Sequence, residues 1–184
     1  MVSPVSALMP ESGDLGSVDD RELGDVIASI LADEAPIELN LLVKRISQAY
    51  GFARVGSKIQ KKCEGALKYA SCTKVSQAKR TIVWRKDQDP KTFFTYRVSA
   101  DDSERRAANE LPLEEIAAAA CASLQHDGPL QQGDLVRATS SLLGYKRLTA
   151  SVEDFVKKGI TLAVRRGAIS REGDLCVLPS EANA

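Results

Sequence analysis

The chain has 184 residues, 43% hydrophobic and 27% charged, which excludes a wholly disordered polymer and allows one ordinary domain or two small ones. Its 25 basic and 25 acidic residues cancel, and a lone histidine, His126, excludes a histidine-rich metal centre. No apolar run approaches the about 18 residues that a membrane span requires, so no membrane partner is expected.

Residues 1–16 lack the basic and apolar regions of a signal peptide and are expected to form a flexible N-terminus. The four cysteines, Cys63, Cys72, Cys121 and Cys176, show no C-x-x-C spacing. They are expected to be reduced thiols in a cytoplasmic protein.

A first folded unit is expected over 17–86. Ser17-Val18-Asp19-Asp20 has a capping-box pattern, and Leu23, Val26, Ile27, Ile30 and Leu31 follow at helical spacing until Ala35-Pro36. A second helix runs from about Asn40 to Tyr50 and buries Leu42, Val43 and Ile46, with Gly51 as its stop. A third helix begins near Gly56 or Ser57, with Val55, Ile59, Cys63, Ala66, Leu67 and Ala70 on its apolar stripe. Val75 and Thr81-Ile82-Val83-Trp84 then form a small hairpin around the polar Gln77–Arg80.

Residues 87–108 form a connecting segment, in which Phe93–Val98 is expected as an extra strand or a packed extended run. The second unit spans 109–178. Pro112, Glu114 and Glu115 suit a first helical turn, and Ile116, Ala120 and Leu124 define that helix's inner face up to Asp127-Gly128. Helices over about Gln132–Leu143 and Ala150–Arg166, separated by a turn at Gly144–Leu148, lead to a second hairpin within Ile169–Leu178. Residues 179–184 are expected to fray.

The two units keep a constant offset of 93. Pro36 matches Pro129, Leu42-Val43 matches Leu135-Val136, and Gly51-Phe52-Ala53-Arg54-Val55 matches Gly144-Tyr145-Lys146-Arg147-Leu148. Seven of 49 aligned pairs are identical, so the argument rests on the apolar positions, the glycine and the arginine staying in step. The fold class expected is mainly α with small β hairpins (α+β), built as tandem duplicated winged-helix-like units. In that arrangement the third helix reads a groove and the hairpin is the wing.

Ile46–Ile59, Leu111–Ala117 and Leu142–Leu148 resemble a bacterial domain of unknown function found at the C-terminus of superfamily-1 DNA helicases, often after a Vsr-like endonuclease domain. The likeness is spread in short patches over about residues 20–178, and the second copy departs from it with Thr149 where the first has Gly56. The resemblance implies DNA processing beside a helicase or nuclease subunit or domain. It implies no enzymatic chemistry of the domain's own.

Charge supplies the candidate site. Residues 36–99 carry a net +10 between acidic blocks of −7 and −5 over 1–35 and 100–128, and 129–184 carry +2. The third helix of the first unit bears Ser57, Lys58, Lys61, Lys62 and Lys68, preceded by Arg54, while Lys79 and Arg80 occupy the expected wing tip. Such lysines clamp phosphates, and Arg54 is the candidate for a base or minor-groove contact. The bland alternative is a solvated basic face. Arg147 is the counterpart of Arg54, and either arginine can instead clamp carbonyls or acids of its own unit. In the second unit Glu153, Asp154, Glu172 and Asp174 oppose phosphate binding, which suits packing against a partner or against the first unit.

Other constellations carry less. Gly51–Lys58 approximates a P-loop with its lysine and hydroxyl positions swapped and a helix where a strand is needed, so nucleotide binding is rejected. Asp14, Asp19, Asp20 and Glu22 read as helix-start acids rather than a metal site, and the cysteines are too scattered for zinc. Trp84 and Phe52 read as core residues, with base stacking by Trp84 as the alternative. The sequence thus points to non-catalytic binding of duplex DNA with weak sequence specificity, needing no cofactor and no metal. The rival is a protein-interaction module that assembles a complex without touching DNA.

Overall fold

The computed structural model describes residues 15–52, 54–99, 101 and 105–179. Among them six α-helices accompany two three-stranded antiparallel sheets, an α+β fold. The chain divides into two compact units, Met1–Asp89 and Pro90–Ala184.

In the first unit, α1 (Asp20–Glu34) starts at Asp19, whose carboxylate accepts the Arg21 N–H at 2.8 Å. Asp19 therefore does the capping that the sequence pattern assigned to a box opening at Ser17. Leu23, Val26, Ile27, Ile30 and Leu31 are all buried, as their spacing requires. A two-residue strand, β1 (Ile37–Glu38), follows and leads directly into α2 (Leu39–Ala49). Glu38 caps α2 by accepting the Leu41 N–H at 3.0 Å. Gly51 ends α2 at φ 78°, where its N–H bonds the Gln48 carbonyl and the Phe52 N–H bonds that of Ser47. This paired closure needs a left-handed residue, which glycine supplies without strain.

The third helix, α3 (Ser57–Ala66), continues into a 3-10 turn at Leu67–Tyr69. It buries Cys63 and Ala66. Val55, expected on the same stripe, is instead 39% exposed, because it lies in the turn before the helix rather than on it. The hairpin is β2 (Cys72–Gln77) and β3 (Arg80–Arg85), joined at Ala78-Lys79, both with positive φ. That is the turn geometry whose twist matches a two-residue hairpin. β3 is the central strand, because β1 pairs with its other edge through Ile37–Val83 and Glu38–Ile82. Val83 faces the core of helices α1–α3, while Ile82 and Trp84 are buried on the opposite face of the strand. Trp84 is 0% exposed, so stacking on a base is excluded and the core reading holds.

The second unit repeats the order. It contains α4 (Leu113–Asp127), β4 (Leu130–Gln131), α5 (Gln132–Leu142), α6 (Ala150–Arg165), β5 (Ser170–Glu172) and β6 (Leu175–Val177), with β6 central. β4 pairs with β6 through Leu130–Cys176 and Gln131–Leu175, each residue 93 beyond its counterpart in the first sheet. The second hairpin is shorter, turning at Gly173-Asp174. Gly144 and Tyr145 close α5 on the Ser141 and Ser140 carbonyls, the pairing that Gly51 and Phe52 make on α2. Pro112 precedes α4 as its flanking residue instead of lying inside the first turn.

The inner face expected for α4 was too narrow. The helix is buried from Leu113 through Cys121, including Glu114 and Glu115. The segment 90–99 forms no strand, and its Tyr96 packs partly buried against the core of the unit. Arg166 donates to the Pro90 carbonyl at 2.8 Å and to Glu114 at 3.1 Å. Glu115, 0% exposed, receives both Arg97 and Arg106, the latter through two bonds at 2.9 and 2.6 Å. The Tyr145 hydroxyl donates to the Arg106 carbonyl at 2.9 Å, and Arg105 donates to the Gly144 carbonyl at 2.8 Å. Of the residues 87–108 expected as a connecting segment, those from Pro90 onward therefore fall within the second unit, bonded to it through Arg166 and the buried Glu115.

Candidate nucleic-acid interface

The turn and helix that follow α2 present the candidate residues. The closure at Gly51 sets the chain direction, Arg54 and Val55 lie exposed in the bend, and Gly56 precedes α3 without a side-chain cap. Ser57, Lys58 and Lys61 are exposed on the first two turns, and no acid occupies the first turn. Lys58, Lys61 and Gly65 share one side of α3 by their spacing, opposite Cys63 and Ala66, and Lys68 follows in the 3-10 turn with its ammonium 4.8 Å from the Tyr69 ring. Among the described residues Arg54, Lys58 and Lys61 enter no ion pair, so their charge is directed outward.

Lys62 is different. Its Nζ lies 2.8 Å from Asp20 Oδ1 at the start of α1. The Lys62 hydrogen bond outweighs the opposing effect of burial and holds the Asp20 carboxyl below its usual range. The lysine expected as a phosphate clamp thus ties α3 to α1. The acids Asp19 and Asp20 have helix-capping and pairing roles, while Asp14 lies outside the described residues. Among the described residues no group of three His, Cys, Asp or Glu is placed to hold a metal ion.

The hairpin turn is half as predicted. Lys79 is exposed in it, whereas Arg80 is the first residue of β3 and only partly exposed. Both line a groove of about 330 Å³ with Glu38, Asn40, Gln60 and Glu64. Gln60 donates to Glu64 at 2.7 Å and to Asn40 at 3.3 Å, which ties three polar side chains of this groove together. The hairpin cations therefore share a polar groove with two acids, Glu38 and Glu64.

In the second unit Arg147 and Leu148 are exposed, as Arg54 and Val55 are. Among the described residues neither the Arg54 nor the Arg147 side chain hydrogen-bonds or ion-pairs within its own unit, unlike the clamp that was their structural alternative, although the Arg147 carbonyl accepts the Thr149 N–H. The helix beyond Arg147 is internally neutralised, since Lys157 pairs with Glu153 and Lys158 with Asp154, both at 2.6 Å. His126 is exposed beside Asp127 at 2.6 Å. Burial pushes the Cys63 and Cys121 thiols up to about 11, which makes them inert packing groups.

The Glu114–Arg166 and Glu115–Arg97–Arg106 pairs have no counterpart in the sequence reading, which gave both glutamates only as acids suited to a first helical turn. Their one sequence signal is a polar pair set against the apolar run Ile116–Cys121.

No helix among the described residues is long and apolar enough to cross a membrane. No curated protein and no solved structure matches the chain. A family model described as a protein of unknown function, DUF3320, matches residues 14–61, a stretch that holds α1, β1, α2 and the first half of α3.

Proposed function

We propose that the chain is a non-catalytic nucleic-acid-binding module that holds duplex DNA against α3 of its first unit. The observation that carries this reading is the outward basic face of Arg54, Lys58 and Lys61, next to a helix start that carries neither an acid nor a side-chain cap. Cations and open backbone N–H groups at a helix start both favour phosphate. The element order of each unit, with a third helix followed by a hairpin, is that of a winged helix, in which the third helix enters the major groove. Binding of this kind rests on phosphates and has weak sequence preference. Resemblance to helicase-associated domains suggests that the module positions a helicase or nuclease on its substrate.

The second unit favours a different role. Its helix lysines are paired with acids, and Phe94, Val98 and Leu148 are 52%, 49% and 41% exposed. Exposed apolar side chains beside neutralised charge suit a protein contact.

Fluorescence anisotropy with labelled duplex and single strand across a salt series tests the proposal. Three to four phosphate contacts give a log–log salt slope of about −3, and Lys58→Glu/Lys61→Glu removes about two units of it. Absence of binding at low salt by a folded wild-type chain refutes the reading and leaves protein assembly in its place.

A further inference from the structure

Four glycines lie within the α-helices of the described residues, and two have a packing reason inside the protein. A β-carbon on Gly24 would meet the Tyr69 Cβ at 2.6 Å, and one on Gly159 would collide with Ile116. A β-carbon on Gly133, in the first turn of α5, would make only an ordinary contact with Arg137 Nη1 at 3.9 Å. Gly65 has no such neighbour at all. It lies in the last turn of α3 with negative φ, it is exposed, and nothing stands within 4 Å of where its Cβ would be. Glycine is among the poorest helix formers, and no packing or turn requirement in the fold compensates at this position.

Position 65 is also a bare place on the basic face, at helical spacing from Lys58 and Lys61, while Lys68, in the 3-10 turn beyond, lies over the Tyr69 ring at 4.8 Å. A basic face that only meets water has no use for a gap there. A helix that lies against a rigid, close-fitting surface does, because a missing side chain lets its backbone approach. Resting on the nucleic-acid reading above, we propose that Gly65 is a close-approach residue, seating the sugar–phosphate wall of a duplex groove directly on the α3 backbone while Lys58 and Lys61 reach the flanking phosphates. The position 93 later is Lys158, a long side chain already tied to Asp154, so the second unit lacks the equivalent seat.

The experiment compares wild type, Gly65→Ala and Gly65→Leu. Duplex affinity is read by anisotropy across a salt series, and thermal melting is followed by circular dichroism. Both substitutions keep every charge and put a better helix former into open space, so both variants melt at or above the wild-type temperature. Gly65→Leu weakens duplex binding by about tenfold, the scale of one lost close contact, and Gly65→Ala by about threefold. The salt slope stays at the wild-type value, because no phosphate contact is removed. If wild type binds with a steep salt slope and Gly65→Leu binds within about twofold of it, the role of Gly65 is overturned while the nucleic-acid reading stands. If folded wild type binds no duplex at low salt, both are overturned.

Discussion

Replacing Glu115 by alanine tests whether buried charge holds the segment after Pro90 onto the second unit. The carboxylate is 0% exposed and accepts two bonds from Arg106, one from the Arg97 guanidinium and one from the Arg97 backbone N–H. Removing one partner of a buried pair costs about 3–5 kcal/mol, since the remaining charge loses its compensation. Arg97 keeps 36% and Arg106 13% of its side-chain exposure, so water recovers part of that loss. The expected cost is therefore about 3 kcal/mol for Glu115→Ala and about half of that for Glu115→Gln, which keeps the shape and loses the charge. Urea unfolding followed by far-ultraviolet circular dichroism measures it, and hydrogen exchange of amides 93–99 and 105–107 locates it. A cycle with Arg106→Ala returns a coupling of about 2 kcal/mol. Burial alone would raise the Glu115 pKa, but the bonds and charges of Arg106 and Arg97 outweigh it and hold it below its ordinary value of 4.5. A lowered folded-state pKa means that this stability is complete above about 4.5 and is lost as pH falls through the lower folded value. A cost below about 1 kcal/mol, or unchanged exchange in the segment, refutes the argument.

Two further outcomes follow from the packing. Gly159→Ala forces a methyl into Ile116 across the α4–α6 contact and destabilises by about 2 kcal/mol in urea unfolding, despite alanine's better helix propensity. A neutral or stabilising result there means that α4 and α6 can separate without cost. Lys62→Ala leaves duplex affinity within about twofold, because its ammonium is committed to Asp20, whereas Lys61→Ala lowers the salt slope by about one unit. The same Lys62 variant moves the Asp20 titration upward toward the ordinary carboxyl value by nuclear magnetic resonance. Equal losses for the two lysines would show that the ion pair opens on binding.

The sequence by itself determined the helices of both units. Leu23 to Leu31, and Leu42, Val43 and Ile46, could satisfy only a helical period, and Gly51 and Gly144 marked helix ends that require left-handed backbone. It also located both hairpins and the basic run of α3. The short strands β1 and β4 were not legible, since two residues carry no periodicity and their pairing with β3 and β6 is a long-range choice. Tertiary structure alone decided which charges were free. Lys58, Lys61 and Lys62 are alike in sequence, yet only Lys62 meets an acid from another helix. Glu114 and Glu115 fit a solvated helix start until Arg166 meets the one and the segment after Pro90 brings Arg97 and Arg106 to the other. Local sequence sets backbone preference and apolar period. The partner of a charge depends on which distant elements pack beside it, and that contact has no signature along the chain.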